Sequence, residues 1–252
     1  MKKNITLILF IILTLPTLTF ADLISFKVGY FIPRAESDLW QDEFNQMSFS
    51  KTDFHATNLG FSYEYFFSNQ LSVALTIDAY SKKKMGSYVD YVGLEFEEGD
   101  FAFPADYEGD FQITHVFDVS ITPIQASLKL TPLGRRGRFI PFVGGGAGVY
   151  LWNVRLIGEI IDFSDVWYYY DPYLQEDIEV YPVIQADARE EGKVNIGFHA
   201  FGGIMFPIAS RISIEAEFKY NFLKGKLTEG FEGFAPFDLG GYQVSLGLNY
   251  WF

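Results

Sequence analysis

The chain has 252 residues, with 27 Phe, 16 Tyr, no Cys and a formal net charge of −13. Without Cys, neither a disulfide framework nor a lipid-modified Cys anchor is possible, and the acidic balance argues against nucleic-acid binding. The length suits one barrel-sized domain.

At the start, Lys2 and Lys3 precede an apolar run over 5–18, and Thr19-Phe20-Ala21 ends in the small-x-small form of a cleavage site. Residues 1–21 are expected to be a removed secretion signal peptide, leaving 22–252 as the folded domain. Loss of Lys2 and Lys3 would take the charge from −13 to −15. A retained anchor is the alternative, opposed by the shortness of the run.

The next signals all have period two. At 23–32, Ile24, Phe26, Val28, Tyr30 and Ile32 share one face, with Ser25, Lys27, Gly29 and Phe31 on the other, and Pro33 closes the strand. Residues 34–55 read as a polar loop. At 57–67 the apolar face is Leu59, Phe61, Tyr63, Tyr65 and Phe67, opposite Asn58, Gly60, Ser62 and Glu64. After a turn at 68–70, the stretch 71–80 alternates Leu71, Val73, Leu75 and Ile77 with Ser72, Ala74, Thr76 and Asp78, which predicts a hairpin. Residues 81–118 form an acidic, aromatic excursion that is expected to prolong the strands.

At 119–130 the apolar phase slips, from odd positions at Val119 and Ile121 to even ones at Ile124, Ala126, Leu128 and Leu130. The slip falls at Thr122-Pro123, where proline lacks a ladder donor, and predicts a bulge. A basic turn at 131–138 leads to a strand at 139–153 holding Gly144-Gly145-Gly146-Ala147-Gly148. A second excursion, 154–192, contains Trp167-Tyr168-Tyr169-Tyr170. The stretch 194–206 sets Ile196, Phe198 and Ala200 against Asn195, Gly197 and His199. After a turn at 207–211, 212–222 sets Ile212, Ile214, Ala216, Phe218 and Tyr220 against Ser213, Glu215, Glu217, Lys219 and Asn221. A loop rich in Gly and Phe at 223–239 precedes the last strand, where Tyr242, Val244, Leu246, Leu248, Tyr250 and Phe252 alternate with mostly polar residues.

These are eight strands, with connections alternating long and short, and several have the ~9–11 residues a tilted strand needs to cross a bilayer. The expected fold is all-β: an eight-stranded antiparallel up-and-down transmembrane β-barrel with long extracellular loops at 34–55, 81–118, 154–192 and 223–239. A lipocalin-type soluble barrel would turn its apolar face inward. Aromatics at the ends of the apolar face (Tyr30, Phe67, Phe206, Tyr220, Tyr242, Tyr250, Phe252) match interfacial girdles instead.

The polar face then lines the lumen. Lys27, Glu64, Asp78, Lys129, Glu215, Glu217 and Lys219 form a candidate lumen charge network, joined by Gln125. Two readings follow: a paired plug, or a polar path for ions. A barrel of eight strands is only wide enough for its own side chains, which favours the plug. The glycine run lacks the Lys-Ser/Thr of a phosphate loop; it makes room for bulky inward residues such as Trp251, Phe66 or Phe201, or thins the wall as a lateral opening for an apolar solute.

No catalytic residues are assigned. A lipid A-modifying barrel enzyme needs a Ser-His-acid set facing lipid, whereas His55 and His115 fall in loops, His199 faces inward, and no His has a Ser two residues away. No cofactor or fixed metal site is expected. The acidic loops read as a solvated repulsive surface, with loose divalent-cation binding as the alternative. Lys82-Lys83-Lys84 stands near the outer rim, where anionic headgroups lie.

The opening Lys27-Val28-Gly29-Tyr30-Phe31-Ile32-Pro33, the run Pro141-Phe142-Val143-Gly144-Gly145-Gly146-Ala147-Gly148 and the closing Tyr250-Trp251-Phe252 resemble the small bacterial outer-membrane β-barrel superfamily, the OmpW-like and OmpA-barrel-like proteins. The resemblance covers 22–252. It implies a porin-like membrane protein in the outer membrane of a Gram-negative-type bacterium, in contact with outer-membrane lipids and lipopolysaccharide. It also implies that the terminal Tyr250 and Phe252 act as an assembly signal for the barrel assembly machinery. Two functions stay open: a non-enzymatic structural or surface-interaction barrel, and a narrow OmpW-like channel for small or apolar solutes. Oligomeric state is not legible.

Overall fold

In a strand, successive side chains point to opposite faces, so the eight alternating stretches can close into a ring only with one consistent face inside. The computed structural model describes residues 22–252. The expected signal peptide, 1–21, lies outside the described residues.

Among the described residues, eight antiparallel strands close the ring: β1 (Leu23–Pro33), β2 (Ala56–Phe66), β3 (Leu71–Ser87), β6 (Thr114–Leu130), β7 (Ile140–Ile161), β9 (Glu176–Ala209), β10 (Ile212–Phe222) and β13 (Gly241–Trp251). Closure is made by β1 on β13, in an unbroken register from Leu23 opposite Trp251 to Pro33 opposite Gly241. Closure removes the edge groups that hydrocarbon could not satisfy. The apolar residues of each strand are exposed on the outside, among them Phe26, Val28, Leu59, Leu75, Leu128, Ile214, Leu246 and Leu248. The polar residues between them are buried inside. This is the reverse of a soluble barrel. Tyr30 and Tyr242 stand on the outer surface toward one end, and Phe67, Phe206, Tyr250 and Phe252 toward the other.

Four strands run past the belt. The 81–118 excursion is a continuation of β3 and β6 joined by a hairpin, β4 (Tyr91–Phe96) with β5 (Gly99–Pro104). The 154–192 excursion likewise prolongs β7 and β9, with β8 (Trp167–Asp171) folded back on β9. The two hairpins join where Phe101 and Ala102 pair Pro182 and Tyr181.

The bulge expected at Thr122-Pro123 is absent. On β7 the register runs without a break from Leu130 opposite Val143 to His115 opposite Gly158, through Pro123 opposite Tyr150. Odd positions of β6 face inward throughout: Phe117, Val119 and Ile121 above, Gln125, Ser127 and Lys129 below. What changes is the lining, not the register. Above Pro123 the interior is an apolar core and the exterior meets water, so the hydrophobic phase inverts while the chain stays in step.

The polar loop expected at 34–55 is also corrected. It forms a helix, α1 (Asp38–Gln46), and a 3-10 turn (Lys51–Phe54) seated in the outer mouth. Asp38 in the first turn suits the helix dipole. Leu39, Trp40 and Glu43 share the buried face, as spacings of three and four dictate. Trp40 is 1% exposed and packs among Phe44, Phe54, Phe117 and Phe237, with ring centroids 4.9–5.3 Å apart. The last loop brings two short strands, β11 (Lys224–Gly225) and β12 (Phe237–Asp238), onto this core. Its Asp238 accepts from Arg34 at 2.7 Å, and its carbonyl accepts from the Trp40 indole at 2.9 Å.

Candidate functional site: the lumen and the outer hairpins

Adjacent strands place inward residues side by side, so the register dictates which lumen groups meet. One layer reads Asp78 (β3), Gly60 (β2), Lys27 (β1), Gly247 (β13), Glu215 (β10) around the wall. A charged residue alternates with glycine, which leaves room for long side chains to cross. Lys27 Nζ lies 2.8 Å from both Glu215 and Glu217. Lys219 lies 2.8 Å from Asp78 and 3.1 Å from the Gln125 side-chain oxygen. Lys129 lies 2.9 Å from Glu64 and over the ring of Phe142, 4.0 Å from its centroid. All seven predicted charges are buried in this one cluster. With three lysines against four carboxylates, every lysine is paired and one negative charge is in excess.

The void enclosed by this cluster is about 10 Å³, at the lower limit for a single water. Above it, a space of about 20 Å³ lies between Asp78, Tyr80, Tyr150 and Asn221. There Gln125 donates to Tyr150 at 2.7 Å and to Asn221 at 2.8 Å. Below the charges, Leu23, Phe66, Ile140, Phe142 and Met205 form an apolar floor with Phe201 and Trp251. The lumen is thus filled at three levels: floor, charge layer, and aromatic mouth.

The inward glycines of β7 form a furrow. Gly144 stands between Lys129 and Phe201, Gly146 between Ser127 and His199, and Gly148 between Gln125 and Gly197. A methyl at Gly144 would overlap Phe201. Across Gly146, Ser127 Oγ and His199 Nε2 come within 2.7 Å. Sequence reasoning missed this pair because it looked for Ser and His close in sequence; strand parity, which puts both inside, was the available signal. His199 Nδ1 has no hydrogen-bond partner, so no acid orients the ring, and both residues are buried away from lipid.

His115, expected in a loop, is buried on β6 with Nε2 2.9 Å from Glu43 of α1, which ties the mouth helix to the wall. His55 follows the 3-10 turn, edge-on to Tyr30. Lys84 pairs with Asp53 at 2.8 Å, and hydrogen bonds from Lys84 and the Ser50 backbone hold the Asp53 carboxyl down at about 2. Tyr250 and Phe252 point outward, their rings 5.2 Å apart.

Beyond the barrel, the hairpins β4–β5 and β8–β9 pack on an aromatic cluster, with Phe101, Phe103 and Val180 buried. Tyr107 donates to Asp171 at 2.7 Å and links the two. Among the described residues, no three His, Asp or Glu side chains converge on a metal-sized site.

No family model and no curated protein matches the sequence. Solved structures similar to it include Neisserial surface protein A, at 13% identity and TM-score 0.49, covering 92% of this chain and 97% of that one. OprG from Pseudomonas aeruginosa matches at 11% and 0.49, covering 92% and 96%. Ail of Yersinia pestis, in complex with the heparin analogue sucrose octasulfate, matches at 13% and 0.41, covering 92% and 99%. On its own geometry, with eight antiparallel strands closed by β1 on β13, apolar outside and charged inside, the chain has the fold of a small outer-membrane β-barrel.

Proposed function

We propose that this protein is a non-enzymatic outer-membrane barrel that serves a structural or surface-interaction role, with a plugged lumen and with its hairpins presented outside the cell. The observation that carries the reading is the filled interior: a void of about 10 Å³ in the charge layer, between an apolar floor and an aromatic mouth. Ions crossing it would have to break the pairs of Lys27, Lys129 and Lys219 in a low-dielectric setting, which costs several kcal/mol per charge. The non-enzymatic part is supported by Ser127 and His199 lying inside the wall without an orienting acid. In this reading the exposed belt contacts outer-membrane lipid, lipopolysaccharide borders the outer rim, and the strand ending in Tyr250 and Phe252 is read by the barrel assembly machinery.

One observation favours the channel alternative. β9 leaves β10 above Phe198, which pairs Phe222, and a cavity of about 280 Å³ lined by Arg34, Ile196, Tyr220 and Leu223 sits at that seam. A small apolar solute could pass sideways there.

Planar-bilayer recording and urea unfolding in lipid vesicles separate the readings. The plug requires little steady conductance. It also requires Lys27→Met to lose on the order of 3–5 kcal/mol, because Glu215 and Glu217 are then left buried without the lysine they share. Steady conductance, with Lys27→Met changing ion selectivity and leaving stability unaltered, would overturn it in favour of a channel.

A further inference from the structure

The outer hairpins hold a cavity of about 200 Å³ whose floor is Phe101, Phe103 and Val180 and whose rim is Phe96, Trp167 and Tyr168. The floor is buried, whereas Trp167 is 48% and Tyr168 67% exposed. Neighbouring rings lie 5.2–5.9 Å apart between Phe96, Phe101 and Trp167, and six aromatic side chains in all line the space. A single carboxylate, Glu98 in the β4–β5 turn, lines it. The charge around it has one sign. Residues 88–110 and 162–179 carry fourteen Asp and Glu and no Lys or Arg. Among the described residues, none of those fourteen forms an ion pair with a base.

We propose that this cavity is a binding site for a free organic cation of the quaternary-ammonium class. A trimethylammonium group is positive but carries an apolar skin, so it gains from aromatic faces within about 6 Å and gives up little hydration on entry. The surrounding carboxylates draw such a cation toward the cavity and disfavour anions. A hard divalent ion does not fit, because it needs six or more oxygens and the cavity lining offers one carboxylate. A neutral aromatic guest would fill the space without using the field. A phosphate-bearing headgroup would set its anion against the acidic rim, which is why the occupant is a free cation and not a zwitterionic lipid. The inference goes beyond the plugged-barrel reading and is independent of conductance.

The test is calorimetric titration of the full chain, folded in octyl glucoside micelles, with choline, its neutral isostere 3,3-dimethylbutanol, and glycerophosphocholine. Choline should bind saturably, with the isostere and glycerophosphocholine each about tenfold weaker or more. Binding should weaken as salt is raised. Trp167→Ala should weaken choline about tenfold, and Glu98→Gln by a smaller factor, with heat-modifiable migration retained as the mark of a folded barrel. If Trp167→Ala does not fold, Glu98→Gln and the isostere comparison carry the test. No saturable choline binding, or equal binding of choline and its isostere, overturns the proposal. Glycerophosphocholine binding as tight as choline overturns the assignment to a free cation.

Discussion

On the inner wall, Gly60 lies between Lys27 on β1 and Asp78 on β3, and a methyl group there would overlap the Asp78 carboxylate. Two effects oppose each other in Gly60→Ala. Restricting the unfolded backbone and improving strand propensity would stabilise by about 0.5–1 kcal/mol. Overpacking a filled site costs about 1–3 kcal/mol, and here it also displaces the carboxylate that pairs with Lys219. The overlap wins, so Gly60→Ala should lower the urea midpoint of the vesicle-embedded barrel. An unchanged or raised midpoint would mean that Asp78 is free to move aside. The identity of the seven inward charges was legible from parity alone, because a period of two leaves only two faces to choose between. Their pairing was not legible. Lys27 meets Glu215 and Glu217 nearly two hundred positions away in sequence, and only the closure of β1 on β13 brings them together.

Elements differ in how plainly they announce themselves. β10 and β13 keep one face in lipid and the other in the lumen for their whole length, so alternation located them to within a residue. β3, β6, β7 and β9 leave the membrane partway; on β6 and β7 the inward lining then turns apolar, at Phe117, Val119 and Ile121 and at Trp152, Val154 and Leu156, while β3 and β9 keep polar groups such as Lys84 and Glu190. A rule that equates apolar with outward therefore ends those strands early, and at Thr122-Pro123 it mistakes the membrane edge for a bulge. α1 was missed for a related reason: nine residues with mixed polarity form a helix here because Trp40 and Leu39 have an aromatic core to enter. Trp40→Ala should cost about 3–5 kcal/mol of packing within that core. The loss should fall on the mouth alone, since the ring is closed without it. Limited trypsin digestion at Lys51 reads the effect: faster cleavage in Trp40→Ala with heat-modifiable migration kept is the expected result, and equal resistance would mean that α1 is not anchored by Trp40. The last strand poses a different question. Tyr250 and Phe252 point away from the lumen and carry none of its charges, so deleting Phe252 should leave secretion intact and reduce the fraction assembled in the outer membrane. Normal assembly of that variant would show that the terminal residue is not recognised.

For the molecule as a whole, loop lengths point to one orientation, and the charge is divided along the same axis. Long hairpins crowded with carboxylates stand at one end, and the short connections with Arg135, Arg136, Arg138 and Arg211 stand at the other, together with the carboxy terminus. Transmembrane barrels place short turns on the periplasmic side and long loops outside, so the acidic hairpins should face the medium. The absence of Cys makes the test clean, since every introduced thiol is the sole target. Asp106→Cys on the β5–β6 connection and Tyr173→Cys beyond β8 should react with a membrane-impermeant maleimide on intact cells. Asn69→Cys and Arg136→Cys, exposed at the opposite end, should react only after the outer membrane is opened. All four sites lie in exposed connections between the strands of the ring, so the substitutions should not disturb the barrel. Labelling of Asn69→Cys and Arg136→Cys alone on intact cells would reverse the assigned topology, and equal labelling of both pairs would abolish it. The reversed pattern would also place the aromatic cavity and the fourteen carboxylates around it beyond the reach of any ligand in the medium.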